Sequence, residues 1–135
     1  MLSAMRNLDL LGGAEILSES ECWDVLANET VGRLAVVSKG RPDIFPVNFG
    51  CDDRSIVIFS NMGHKLLSAS GAVVAFEVDR ADPHSKMAYS VVLHGPATVE
   101  PSDEEGFAWS GPKDFQIRID PLEVTGRRVS SRPHV

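Results

Sequence analysis

The run Val31-Gly32-Arg33-Leu34-Ala35-Val36-Val37-Ser38-Lys39-Gly40-Arg41-Pro42-Asp43-Ile44-Phe45-Pro46-Val47-Asn48-Phe49 reads in steps of two. Gly32, Leu34 and Val36 share one side and Val31, Arg33, Ala35 and Val37 the other, the alternation of a strand whose successive side chains point to opposite faces. Ser38-Lys39-Gly40-Arg41 is a hairpin turn signal, and Ile44 to Phe49 continue as a second strand with Phe45, Val47 and Phe49 on one face. Pro46 cannot donate to a ladder, so this strand has an edge or a bulge there. Arg33 is left among small apolar neighbours.

Working outward, Asp52-Asp53-Arg54 turns the chain into a third strand, Ser55 to Ser60. Ala72 to Val78 is a mostly apolar run that suits a strand covered on both faces. Met87 to Val99 reads as a long strand that Gly95-Pro96 would bend. Phe115, Ile117 and Ile119 alternate with Gln116, Arg118 and Asp120, and Leu122 to Gly126 form the last strand. Ser18 with Glu21, and Ser102 with Glu105, are capping-box patterns that predict short helices over 19–28 and 103–109. Helices are too few for βαβ repetition. The chain is therefore expected to be mainly β, a six- to seven-stranded antiparallel barrel with two or three short helices, since closure removes edges that a sandwich leaves open.

Ile56-Val57-Ile58-Phe59-Ser60-Asn61-Met62-Gly63-His64-Lys65-Leu66-Leu67-Ser68 reads as a strand, a glycine loop and the first turn of a helix over 64–70. A helix start leaves backbone N–H groups without internal partners and carries partial positive charge, so it suits a phosphate, with Lys65 and His64 adding side-chain charge. A plain strand-to-helix connection with a solvated lysine fits the same residues.

At 135 residues with a formal net charge of −6, the chain is expected to be one soluble, cytoplasmic domain that binds no nucleic acid. No apolar run approaches the roughly 20 residues that cross a bilayer, so no membrane partner is expected. Cys22 and Cys51 form no disulfide framework or metal cluster, and buried reduced thiols are the expectation.

Gly32-Arg33-Leu34-Ala35, Pro46-Val47-Asn48, Phe59-Ser60 with Gly63-His64-Lys65-Leu66, Phe76-Glu77-Val78-Asp79, Tyr89-Ser90-Val91-Val92 with Gly95, Gly111-Pro112 with Ile117-Arg118-Ile119, and Val124-Thr125-Gly126-Arg127 follow in an order that resembles the pyridoxamine 5'-phosphate oxidase-like, flavin-binding split-barrel family. The likeness covers residues 18–129, with 1–17 as an N-terminal arm and 130–135 as a tail. It implies a homodimer holding FMN at each of two interface sites. Lys65, helped by His64, would hold the phosphate. Pro46, Val47 and Asn48 fall on the strand beside the flavin ring, Phe59 and Ser60 on the strand whose backbone faces it, and Ser90 at a ribityl or phosphate contact. Trp109 and Arg118 would reach in from the second subunit. His64 stands where a small hydroxyl residue commonly precedes the phosphate lysine, and the arginine- and histidine-bearing C-terminal segment is missing, so vitamin B6 oxidation is not expected.

Each residue also has a plainer explanation. Arg33 suits a phosphate or ring contact, or a paired structural arginine at the barrel rim; Trp109 suits interface packing. Asn48 on an apolar strand face wants a partner, because a buried polar group left unpaired costs about 1–3 kcal/mol. His84 and His94 read as structural or exposed, Glu77 and Asp79 as a solvated edge, and Trp23 as core. The function expected is FMN-dependent hydride transfer from a reduced nicotinamide to a small organic substrate. A deazaflavin-dependent reductase, with Arg33, Lys65, Arg127 and Arg128 along the groove, and a flavin or haem carrier without turnover are the alternatives.

Overall fold

The computed structural model describes residues 14–60, 70–102 and 115–130. The expected helices over 64–70 and 103–109, and with them Gly63, His64, Lys65 and Trp109, lie outside the described residues apart from Ser70, which stands in a turn. In chain order the elements are β1 (Glu15–Ile16), α1 (Glu19–Ala27), β2 (Val31–Ser38), β3 (Arg41–Asp52), β4 (Ser55–Ser60), β5 (Val73–Asp82), β6 (Met87–Pro101), β7 (Phe115–Ile119) and β8 (Glu123–Ser130). All pairings are antiparallel, in the order β1-β8-β6-β5-β2-β3-β4-β7, with β7 also paired to β6. That last pairing closes a six-stranded ring, as expected for a barrel. Glu15–Ile16, in the segment expected to be an arm, instead extends the sheet beyond β8.

The ring closes because β6 is long enough to serve two neighbours along one edge. Met87 to His94 pair with β8, and Ala97 to Pro101 pair with β7. The connection from β7 to β8 crosses at Gly95, where Asp120 N–H donates to Pro96 O at 3.3 Å and Leu122 N–H to His94 O at 2.7 Å. Only a residue without Cβ allows this crossing, since a Cβ on Gly95 would lie 2.2 Å from the Asp120 carbonyl oxygen.

Local chemistry fits the elements. Ser18 accepts from Glu21 N–H at 3.1 Å while the Glu21 carboxylate accepts from Ser18 N–H at 2.9 Å, the reciprocal cap that starts α1. Lys39 and Gly40 both have positive φ, 53° and 73°, as the two-residue β2–β3 hairpin requires. The alternation sends Leu34, Val36, Phe49, Ile56, Ile58, Phe76, Val78, Val91, Leu93, Ile117 and Ile119 inward, and α1 adds Cys22, Trp23 and Leu26. Phe49 and Phe76 meet edge to face at 4.9 Å between centroids.

Two expectations are corrected. Cys51 is exposed rather than buried, because it lies on β3 beside the β3–β4 turn, where the barrel wall ends. The 72–78 run is covered on its inner face alone, with Val73 60% exposed. Among the described residues no helix is long and apolar enough to cross a membrane.

Candidate functional site

Register decides which predicted residues meet. On β3, Pro46 stands opposite Arg33 and Asn48 opposite Val31, so all four share the outer face. The β3–β4 ladder begins only at the pair Phe49 and Ile58. Pro46 therefore lies where β3 is paired on one side, the edge its missing N–H calls for. One step beyond that last pair stand Asn48 and Phe59, both outward. Gly50 opposes Val57, Val57 opposes Arg118, and Phe59 opposes Gln116. Gly50, Val57, Phe59, Gln116 and Arg118, with Cys51 and Asp52, line a hollow of about 370 Å³. Glycine at position 50 contributes no side chain to fill it.

Charge at the hollow is largely balanced. Arg118 donates to Asp52 Oδ2 at 2.7 Å, and this hydrogen bond holds the guanidinium pKa above its ordinary value. Phe59 and Val57 form an apolar wall and Gln116 brings an amide that both donates and accepts, while Asn48 lies one step outside the lining on β3. Val47 and Ser60 point the other way: Val47 packs against the core and Ser60 is buried. Each reaches the outer face only through its backbone.

Arg33 donates to Glu77 Oε1 at 2.9 Å and to Asp79 Oδ1 at 3.4 Å. Arg33 is thus paired, with its side chain still 45% exposed, and its partners Glu77 and Asp79 remain partly solvated at 30% and 51%. Partial burial, then the neighbouring Asp79 carboxyl, push the Glu77 carboxyl up despite Arg33. Ser90 also faces outward, opposite Asp79 on β5 and Arg127 on β8. It is separated from Asn48 by β2 and β5, three strand spacings or about 14 Å. The single chain thus brings Arg33, Pro46, Asn48, Phe59 and Arg118 onto one continuous surface, with Ser90 well removed from the hollow.

Gln116 and Gly50 were missed. Gln116 was legible as an outward position alternating with Ile117, but nothing in the sequence says that β7 lies beside β4. A larger cleft, about 660 Å³ between α1 and the sheet, lies elsewhere; its Arg80 and Arg128 are engaged by Glu29 and Glu15.

Comparison with known proteins agrees with this architecture. The chain is 32% identical over 128 residues to the uncharacterized protein Rv0080 of Mycobacterium tuberculosis, covering 84% of each. The solved FAD binding protein from Mycobacterium smegmatis is similar at 31% identity and a TM-score of 0.68, over 86% of this chain and 98% of that one. An FAD-binding protein from Mesorhizobium loti is similar at 26% identity and a TM-score of 0.69, over 87% and 99%. Residues 18–128 match the family model described as pyridoxamine 5'-phosphate oxidase, nearly the span that the sequence motifs marked out, and the chain belongs to that family.

Proposed function

We propose that this chain is a homodimeric flavoprotein that transfers hydride between a reduced nicotinamide or similar donor and a small organic substrate. The observation that carries this reading is that Phe59 and Arg118 line the 370 Å³ hollow together with Val57 and Gln116, while Pro46 and Asn48 lie on the same outer surface beside it. Ligand sites combine an apolar lining with a few well-placed polar groups, and the hollow does so. The Phe59 and Val57 wall suits a flat ring, and the Asn48 and Gln116 amides suit the polar edge of an isoalloxazine. The flavin supplies the hydride chemistry; the protein binds and orients it. Lys65 and His64 are proposed to hold the phosphate, and Trp109 to approach from the second subunit.

A second copy is favoured by what the outer face exposes. Val37, Ile44 and Val73 are 65%, 62% and 60% exposed on neighbouring strands, an apolar patch that a second copy would cover. FMN is the flavin the sequence motifs suggest, and FAD is favoured by the two solved relatives at 31% and 26% identity. Both share the ring, ribityl chain and first phosphate. Deazaflavin is the remaining alternative.

Absorbance of the purified protein, followed by titration with FMN, FAD and deazaflavin, tests the cofactor. Flavin bands that bleach anaerobically on adding reduced nicotinamide are expected, with weaker flavin binding in Lys65→Ala. Light scattering should give twice the 14.7 kDa chain mass. A colourless monomer that takes up no flavin refutes the proposal.

A further inference from the structure

The outer face of β5, β6 and β8 carries a second concavity, a trough of about 470 Å³ lined by Ala14, Asp79, Arg80, Ala81, Ala88, Tyr89, Ser90, Arg127 and Val129. Its outward-facing residues fall in two adjacent cross-strand rows. Ala81, Ala88 and Val129 oppose one another as an apolar row, and Asp79, Ser90 and Arg127 form a polar row beside it. Small side chains in the first row leave a shallow, flat floor. The second row brings a carboxylate, a hydroxyl and a guanidinium to its edge. A ligand matched to both rows has a flat apolar ring with amine or hydroxyl donors near Asp79 and an anionic group near Arg127.

The trough is continuous with the proposed flavin surface through Arg33, whose cross-strand neighbour is Pro46 and whose guanidinium reaches Asp79 on the trough's rim. We infer that this trough is the subsite for the adenosine-phosphate half of a dinucleotide flavin, so that the chain selects FAD over FMN. The inference rests on the flavin reading above and adds what that reading leaves open. A mononucleotide seated at the hollow has no group to place on the alanine floor, whereas adenosine phosphate has the purine, the ribose hydroxyls and the charge that the two rows match. The volume is within the range of small-molecule sites, about 300–1,000 Å³.

The test is equilibrium titration of the full chain, freed of flavin, with FAD and with FMN, read by flavin fluorescence. FAD is expected to bind at least tenfold tighter than FMN. Ala88→Trp, which fills the floor, is expected to abolish that advantage while leaving FMN affinity unchanged. Arg127→Gln, which alters only the rim, is expected to lower FAD affinity severalfold and FMN affinity not at all. Circular dichroism confirms that each variant is folded. Equal affinity of the wild type for FAD and FMN overturns the trough assignment and leaves the flavin reading standing, as does an undiminished FAD preference in both variants. Failure of both flavins to bind overturns the flavin reading and the inference with it.

Discussion

Replacing Gly95 by alanine probes the feature that lets one strand serve two neighbours. The added Cβ would lie 2.2 Å from the Asp120 carbonyl oxygen, 2.9 Å from the Asp120 carbonyl carbon and 2.8 Å from Pro121 Cα, all backbone atoms that cannot swing away as a side chain would. Ordinary contact begins near 3.4 Å, so the carbonyl oxygen must retreat by 3.4 − 2.2 = 1.2 Å. That movement breaks the 3.3 Å bond from Asp120 N–H to Pro96 O and strains the 2.7 Å bond from Leu122 N–H to His94 O. Overpacking costs about 1–3 kcal/mol and the two hydrogen bonds about 0.5–1.5 kcal/mol each, a sum of about 2–6 kcal/mol. Domains of this kind are stable by only about 5–15 kcal/mol in total. In urea unfolding followed by far-ultraviolet circular dichroism, with a slope of about 2 kcal/mol per molar, the midpoint should fall by about 1–3 M. Gly40→Ala serves as the contrast: its φ is +73° with open space around it, so only conformational strain of about 1 kcal/mol is expected. A Gly95→Ala midpoint within about 0.3 M of wild type would refute the crossing argument.

Further outcomes follow from the same contacts. A Cβ on Gly126 would meet Cys22 Sγ at 2.6 Å, so Gly126→Ala should destabilise and Cys22→Ala in the same chain should recover part of the loss; additive urea midpoints would contradict the contact. Ser18→Ala removes one side of the reciprocal cap and should cost about 1 kcal/mol, read as a lower melting temperature, with Ser18→Asp close to wild type. Glu77 has a carboxyl raised from its ordinary 4.5 by burial and by Asp79. The folded chain therefore holds this proton more tightly than the unfolded one, and the associated stability is present below the ordinary value and lost as pH rises through the folded value. Wild type should lose more stability than Glu77→Gln across the range just above pH 4.5; parallel urea-midpoint curves against pH would sink this account.

How far the sequence carried the site depends on the range of each interaction. Strand alternation placed Ser55–Ser60 to the residue and set Pro46 and Asn48 against Val47, because side-chain direction in a strand follows from position alone. Hairpin neighbours were equally legible, since Lys39-Gly40 and Asp53-Arg54 connect strands through two-residue turns. Arg33 was harder. Its engagement by Glu77 and Asp79 spans more than forty residues of chain, and only the pairing of β2 with β5 brings the charges together.

By itself the sequence determined seven of the eight described strands, the facing of most of them, the hairpins, the capped helix and the family, all consequences of short-range periodicity, turn chemistry and motif order. Tertiary structure alone decided that β6 pairs with both β7 and β8, that β7 lies against β4, and hence that Gln116 and Arg118 meet Phe59 around a hollow. Those pairings join residues from 14 to 63 positions apart. Their choice rests on closing the barrel around one buried core, a property of the whole chain that no local pattern contains.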